Sequence, residues 1–132
     1  MDLHLVWATL IGAVLGSLAD WLFAGVLFHD RYQLHPEVWR PGAGAERSRI
    51  ILAQLLALVT SGAFVLLAWK LHQTDYRGTV KLAGMIWLIG PLPLLLANAL
   101  FIKIDHLVTA SHAAGWLVKL LLIAGATAWM LA

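Results

Sequence analysis

Cysteine is absent from this chain of 132 residues. Disulfides, thiolate metal ligands and cysteine nucleophiles are therefore excluded, although the absence does not report the redox compartment. Charge is scarce as well. Only 12% of the residues are Asp, Glu, Lys or Arg, and the formal net charge is +2. The basic side chains are scattered and form no stripe that could follow a phosphate backbone, so nucleic acid is not expected as a partner. Several motifs are missing too. There is no HExxH and no histidine pair at i, i+4. Ser17, Ser48, Ser61 and Ser111 sit in no nucleophile elbow, and GAGAER lacks the strand and lysine of a phosphate loop. Covalent catalysis and nucleotide binding have no support, and no cofactor is expected.

What is abundant is apolar surface. Hydrophobic residues make up 61% of the chain, too much for a soluble domain of this size to cover. Four apolar runs are each long enough to cross about 30 Å of hydrocarbon, which takes roughly 20 helical residues. The predicted fold is all-α: a polytopic membrane protein, a single domain over 1–132, with four transmembrane helices in a compact up-down bundle. The predicted helices are 3–28, 48–71, 80–101 and 107–131. The first run is too long for a signal h-region and has no basic segment before it, so it reads as a retained span.

In the first helix, Ala8, Gly12 and Gly16 follow at four-residue steps and Asp20 continues the row. The GxxxG pair lets another backbone approach closely, and makes this face a candidate interface in a homo-oligomer. The connection His29–Arg49 is the longest polar stretch. Tyr32 and Trp39 suit a membrane interface. Pro36 is placed to start a short surface helix through Trp39, which Pro41, Gly42 and Gly44 end. In the third helix, Gly90-Pro91-Leu92-Pro93 deprives the carbonyls of Trp87 and Ile89 of their usual partners, which predicts a kink or unwound turn. The connection into the fourth helix is short, so helices three and four should be antiparallel neighbours. Arg31, Arg40, Arg47, Arg49 and Lys103 flank one side of the membrane, against Lys70, Arg77 and Lys81 on the other. By the positive-inside rule the long connection is cytoplasmic and both termini are outside.

The fourth helix carries a polar stripe. Asp105, His112 and Lys119 recur every seven residues and share a face with Thr109 and Trp116. Ionisable groups in hydrocarbon are costly, so they should face protein or a wet cavity. Counting about 1.5 Å per residue brings Asp20, Gln54, Asn98 and His112 into the same third of the membrane, with Lys119 deeper. Asp20, Gln54, Asn98, His112, Trp116 and Lys119 are therefore the candidate ligand-binding residues of a polar vestibule open towards the long connection. A small amphipathic molecule or a proton-linked solute would be bound or transported there. The competing reading is a structural or accessory membrane subunit, with no ligand, whose polar residues serve helix pairing. A third, an intramembrane metalloenzyme, rests on His29, Asp30, His35, Glu37, Asp105 and His106. These are plausible nitrogen and oxygen ligands. They follow no metal-binding spacing, and His106 and His112 lie on different helix faces, so no metal site is assigned.

Three stretches resemble a known family. They are WLIGPLPLLLANALF (87–101), HAAGWLVKLLLIAGATAWM (112–130) and, more loosely, ADWLFAGVLFHDRYQ (19–33). They look like a family of small bacterial four-helix membrane proteins known as a domain of unknown function. Its members similarly carry a tryptophan before a Gly-Pro turn, an Asn-x-x-Phe ending the third helix and a Gly-Trp-Leu-Val-like stretch in the fourth. Here His29-Asp30-Arg31 replaces the Gly-Lys often found after the first helix. The resemblance implies a four-helix fold in membrane lipid, in the bacterial inner (cytoplasmic) membrane, and no established activity.

Overall fold

Asp2 starts the first span. Its carboxylate accepts the His4 N–H at 3.1 Å and caps α1 (Leu3–Asp20). The computed structural model describes residues 2–42 and 46–132. Instead of running evenly to Phe28, the span changes winding after Asp20. Trp21–Leu27 forms a π-helix, closed by the Phe28 N–H on the Phe23 carbonyl five residues back, at 3.0 Å. Nothing in hydropathy marks such a change, because both windings keep the backbone paired and the side chains apolar. Within the π-helix Gly25 leaves room for the Trp21 ring: a Cβ there would lie 3.2 Å from it.

The polar connection holds a helix that its composition did not announce, α2 (His29–Gln33), and then a 3₁₀ turn at Pro36–Val38. The turn starts at Pro36 as expected and stops one residue short of Trp39. The Trp39 indole N–H donates to the Tyr32 carbonyl, and the two rings stack at 5.4 Å. Gly44, read as a helix terminator, lies outside the described residues. α3 (Glu46–Lys70) then crosses back. It ends on His72 in the left-handed region, φ 54°, with the Gln73 N–H on the Ala68 carbonyl at 2.9 Å. The third span begins at Tyr76, not Val80, because Asp75 accepts the Gly78 N–H and caps α4 (Tyr76–Ile89). Gly90, at φ −113° and ψ −84°, breaks the span where the prolines predict. Pro91 and Pro93 then sit in the first turn of α5 (Pro91–Phe101), where a missing N–H leaves no bond unmade. Asp105 caps α6 (His106–Leu131) by accepting from Leu107 N and Val108 N at 2.8 and 3.3 Å.

Four helical stretches are long and apolar enough to cross a membrane: Leu3–Leu27, Glu46–Lys70, Tyr76–Phe101 and His106–Leu131. They pack against one another, with no strand among the described residues. α6 lies at the centre. Its apolar window is 44% buried, against 6% for Tyr76–Phe101. On one side it packs on α1, which in turn carries α3; on the other it packs on α4 and α5. Phe64 and Ala68 of α3, Ala83 of α4, and Leu120, Ile123 and Ala124 of α6 form one core. Leu5 and Ala8 of α1 meet Val65 of α3 in a second. Two side-chain bonds tie helices directly. Ser61 Oγ donates to the Thr9 carbonyl at 2.8 Å, and Trp87 Nε1 to the Ala113 carbonyl at 2.8 Å.

The small-residue row of α1 is used inside the chain. Ala8, Gly12 and Gly16 are buried. A Cβ on Gly12 would collide with Ser61 Oγ, and one on Gly16 would lie 3.1 Å from Lys119 Cγ. This corrects its reading as a homo-oligomer interface. α3 and α6 already occupy the face, and no second copy can reach it.

Candidate intramembrane binding site

Asp20 ends α1 at the point where the π winding begins, and it points at α6. Its Oδ2 lies 2.6 Å from Lys119 Nζ. The pair is asymmetric: the Lys119 side chain is 8% exposed and that of Asp20 47%. Gly16 is what lets the lysine stem lie flat against α1. The ammonium also sits 4.3 Å from the centre of the Trp116 ring, where the π face favours a cation. One lysine thus has a carboxylate and an aromatic face as partners, which offsets the cost of its burial.

These groups line a cavity of about 450 Å³. Asp20 at the end of α1 and Phe23 and Ala24 of the π-helix wall it on one side, with Ala53, Leu56, Ala57 and Thr60 on α3. Ser111, His112, Gly115, Trp116 and Lys119 wall it on α6, and Tyr32 of α2 closes the set. Phe23 reaches α6 because of the π turn and packs on Gly115, where a Cβ would lie 3.4 Å from the ring. Ser111 is fully buried, and its Oγ is the one such side-chain atom among the described residues without a hydrogen bond of ordinary length and angle, although the Tyr32 phenol lies near enough to act on it.

Beyond Tyr32 and His112 lies an outer cavity of about 290 Å³. Tyr32 and His112 line both cavities and stand between them, their ring centres 5.3 Å apart. Burial pushes the Tyr32 phenol above the usual tyrosine range, reinforced by the Asp20 charge and opposed by the nearby Ser111 hydroxyl.

The six residues singled out from the sequence therefore part company. Asp20, His112, Trp116 and Lys119 meet at the inner cavity. Asn98 lines the outer one, because α5 lies across α6 from α1. Gln54 lines neither. Every residue of α3 from Glu46 to Leu56 is exposed, so the face that holds Ala57 and Ser61 against α1 does not continue up to Gln54. The Asp105–His112–Lys119 stripe runs through both cavities in order: outer, shared, inner. Of the secondary metal candidates, His35 and Asp105 line the outer cavity, while His29 contacts Gln33 and Glu37 contacts His35. Asp30 and His106 line neither cavity. Among the described residues no three His, Asp or Glu side chains converge as metal ligands would.

Ser111, Tyr32, Phe23 and Thr60 are not among the candidate ligand-binding residues read from the sequence, where Tyr32 reads as an interfacial residue and Ser111 only as a serine without a nucleophile elbow. For Ser111 a signal existed. It stands four and eight residues before Gly115 and Lys119, a row on one face that the seven-residue stripe obscures.

The profile of a family described as a protein of unknown function, DUF1761, matches residues 7–128. The chain belongs to this family. The DUF1761 match runs through all four spans, not only through the second half where the resemblance of individual stretches is strongest, and it takes in every residue lining the two cavities. No curated protein and no solved structure matches the chain. As a DUF1761 protein with four candidate spans, it is a small integral membrane protein.

Proposed function

We propose that this DUF1761 protein binds a small amphipathic molecule in the inner cavity. The observation that carries this reading is Ser111. A helical serine ordinarily satisfies its hydroxyl on the carbonyl four residues back. Here the hydroxyl is buried, makes no well-formed hydrogen bond although the Tyr32 phenol lies near it, and borders a cavity that also presents Asp20, Lys119 and His112. An unsatisfied buried hydroxyl costs about 1–3 kcal/mol, which a bound polar group offsets. Phe23, Leu56 and Trp116 supply the apolar surface beside it. The cavity falls within the range of about 300–1,000 Å³ usual for small-molecule sites.

The competing role is a structural subunit without a ligand. What favours it is that the Asp20–Lys119 pair, the Ser61–Thr9 bond and the Trp87–Ala113 bond each join two helices. Native mass spectrometry of the gently solubilised protein, wild type beside Ser111→Ala, separates the two. Under the binding reading the wild type retains a small-molecule mass that Ser111→Ala largely loses while staying folded. A wild type that carries nothing, with Ser111→Ala melting higher for want of the orphan hydroxyl, overturns the binding reading.

A further inference from the structure

The outer cavity has its own chemistry. Its walls are partly apolar, with Val38, Trp39, Leu95, Ile104 and Val108. Arg31, Lys103 and Asp105 bring charge to it. The carboxylate is already committed. Asp105 Oδ1 accepts two backbone N–H groups of α6, and Oδ2 faces Arg31 at 3.8 Å. That separation is an ion-pair contact and too long for a hydrogen bond, so among the described residues the guanidinium donors stay open. Lys103 makes no ion pair among the described residues. His35, also on the wall, contacts Glu37 instead. The charge left without a close partner is thus positive. It sits where the polar connections adjoin the spans, the level at which lipid headgroups lie. Leu95 stands six residues before the end of α5 at Phe101, about 9 Å along the helix, and therefore lies towards the hydrocarbon.

We infer that the outer cavity is a binding site for an anionic amphiphile, with a phosphate-bearing head on Lys103 and Arg31 and the start of its alkyl chain along Leu95 and Val108. Arginine and lysine are suited to such a head, the first through its forked donors and the second as a point charge. Trp39, held by the Tyr32 carbonyl, covers the chain and provides a reporter. The site stands apart from the inner-cavity reading, since none of its cationic residues borders that cavity.

The test uses the full chain in a neutral detergent and follows Trp39 fluorescence as the difference between wild type and Trp39→Phe. Three water-soluble probes are titrated: hexyl phosphate, inorganic phosphate and hexyltrimethylammonium. The expected result is saturable binding of hexyl phosphate, with inorganic phosphate weaker by about tenfold for want of apolar contact. Hexyltrimethylammonium should give no saturable signal. Lys103→Gln, at an exposed position, should weaken hexyl phosphate by about tenfold, and Lys103→Glu should shift the preference towards the ammonium probe. Ser111→Ala should leave the titration unchanged, which keeps this site distinguishable from the inner one. Equal response to the two head charges, or undiminished binding in Lys103→Gln, overturns the inference. Inorganic phosphate binding as tightly as hexyl phosphate overturns the amphiphile and makes the ligand a free anion.

Discussion

Lys119 Nζ and Asp20 Oδ2 lie 2.6 Å apart across the interface of α6 and α1, and the lysine is the far more deeply buried of the two. That asymmetry gives the two single substitutions different costs. Asp20→Asn strands a buried ammonium and should destabilise by about 1–3 kcal/mol, below the range of about 3–5 for a fully buried pair because Asp20 is half exposed. Lys119→Met removes the buried charge and leaves a carboxylate that can be solvated, so it should cost less. The double variant should recover most of the Asp20→Asn loss. Thermal melts of the four solubilised proteins check the order. Additive losses would mean that the two groups do not act as a pair.

The α1 row predicts a contrast between two glycines. Gly12→Ala drives a methyl into Ser61 Oγ, which is fixed by its bond to Thr9, and overpacking of this kind costs about 1–3 kcal/mol. Gly125→Ala meets nothing within 4 Å and should gain up to about 1 kcal/mol from helix propensity. Melting temperatures moving in the same direction would show that Gly12 is not held against α3.

His72→Gly should raise stability by about 1 kcal/mol. A residue with a Cβ pays about 1–2 kcal/mol for the left-handed conformation that His72 adopts, and this exposed side chain has no packing to lose. The glycine's extra freedom when unfolded takes back part of the gain. Chemical or thermal unfolding of the single variant is sufficient. A clear loss would point to a contact made by the imidazole.

Tyr32 should titrate above the ordinary phenol value near 10, because burial disfavours the phenolate. The chain has two tyrosines, so the ultraviolet difference between wild type and Tyr32→Phe isolates this one. The stability consequence has a definite sign. The folded state holds the proton more tightly, so its contribution is complete below about pH 10 and is lost as pH rises through the folded value. Tyr32→Phe should therefore resist alkaline unfolding better than wild type. A Tyr32 midpoint at or below 10 would contradict its position between the two cavities.

Much of the architecture was legible because hydrocarbon imposes it. Run lengths set the number of spans, and the two closely spaced prolines located the break at Gly90. Asp20, His112, Trp116 and Lys119 could be brought together by period and depth alone, since a costly charge needs a partner at its own level. Which helices adjoin was not legible. Asn98 has the right depth and faces the other side of α6, and Gln54 has the right depth on a stretch of α3 whose residues are all exposed. The Gly12–Gly16 row correctly announced close packing, but a row of small residues does not say whether the approaching backbone belongs to the same chain. The π segment was invisible because its residues are as apolar as those of an α-helix.

That segment has a consequence for the register between α1 and everything that follows it. A π turn holds one residue more than an α turn, and one residue is about 100° of rotation around an α-helix axis. Deleting a single residue within Trp21–Leu27 would let the span wind evenly to its end and swing the following connection by about that angle. Tyr32 would turn away from His112, and the partition between the two cavities would be lost while all four spans stayed long enough to cross the membrane. The partition that Tyr32 and His112 form between an inner and an outer chamber thus depends on the hydrogen-bond spacing of seven apolar residues as well as on those two rings.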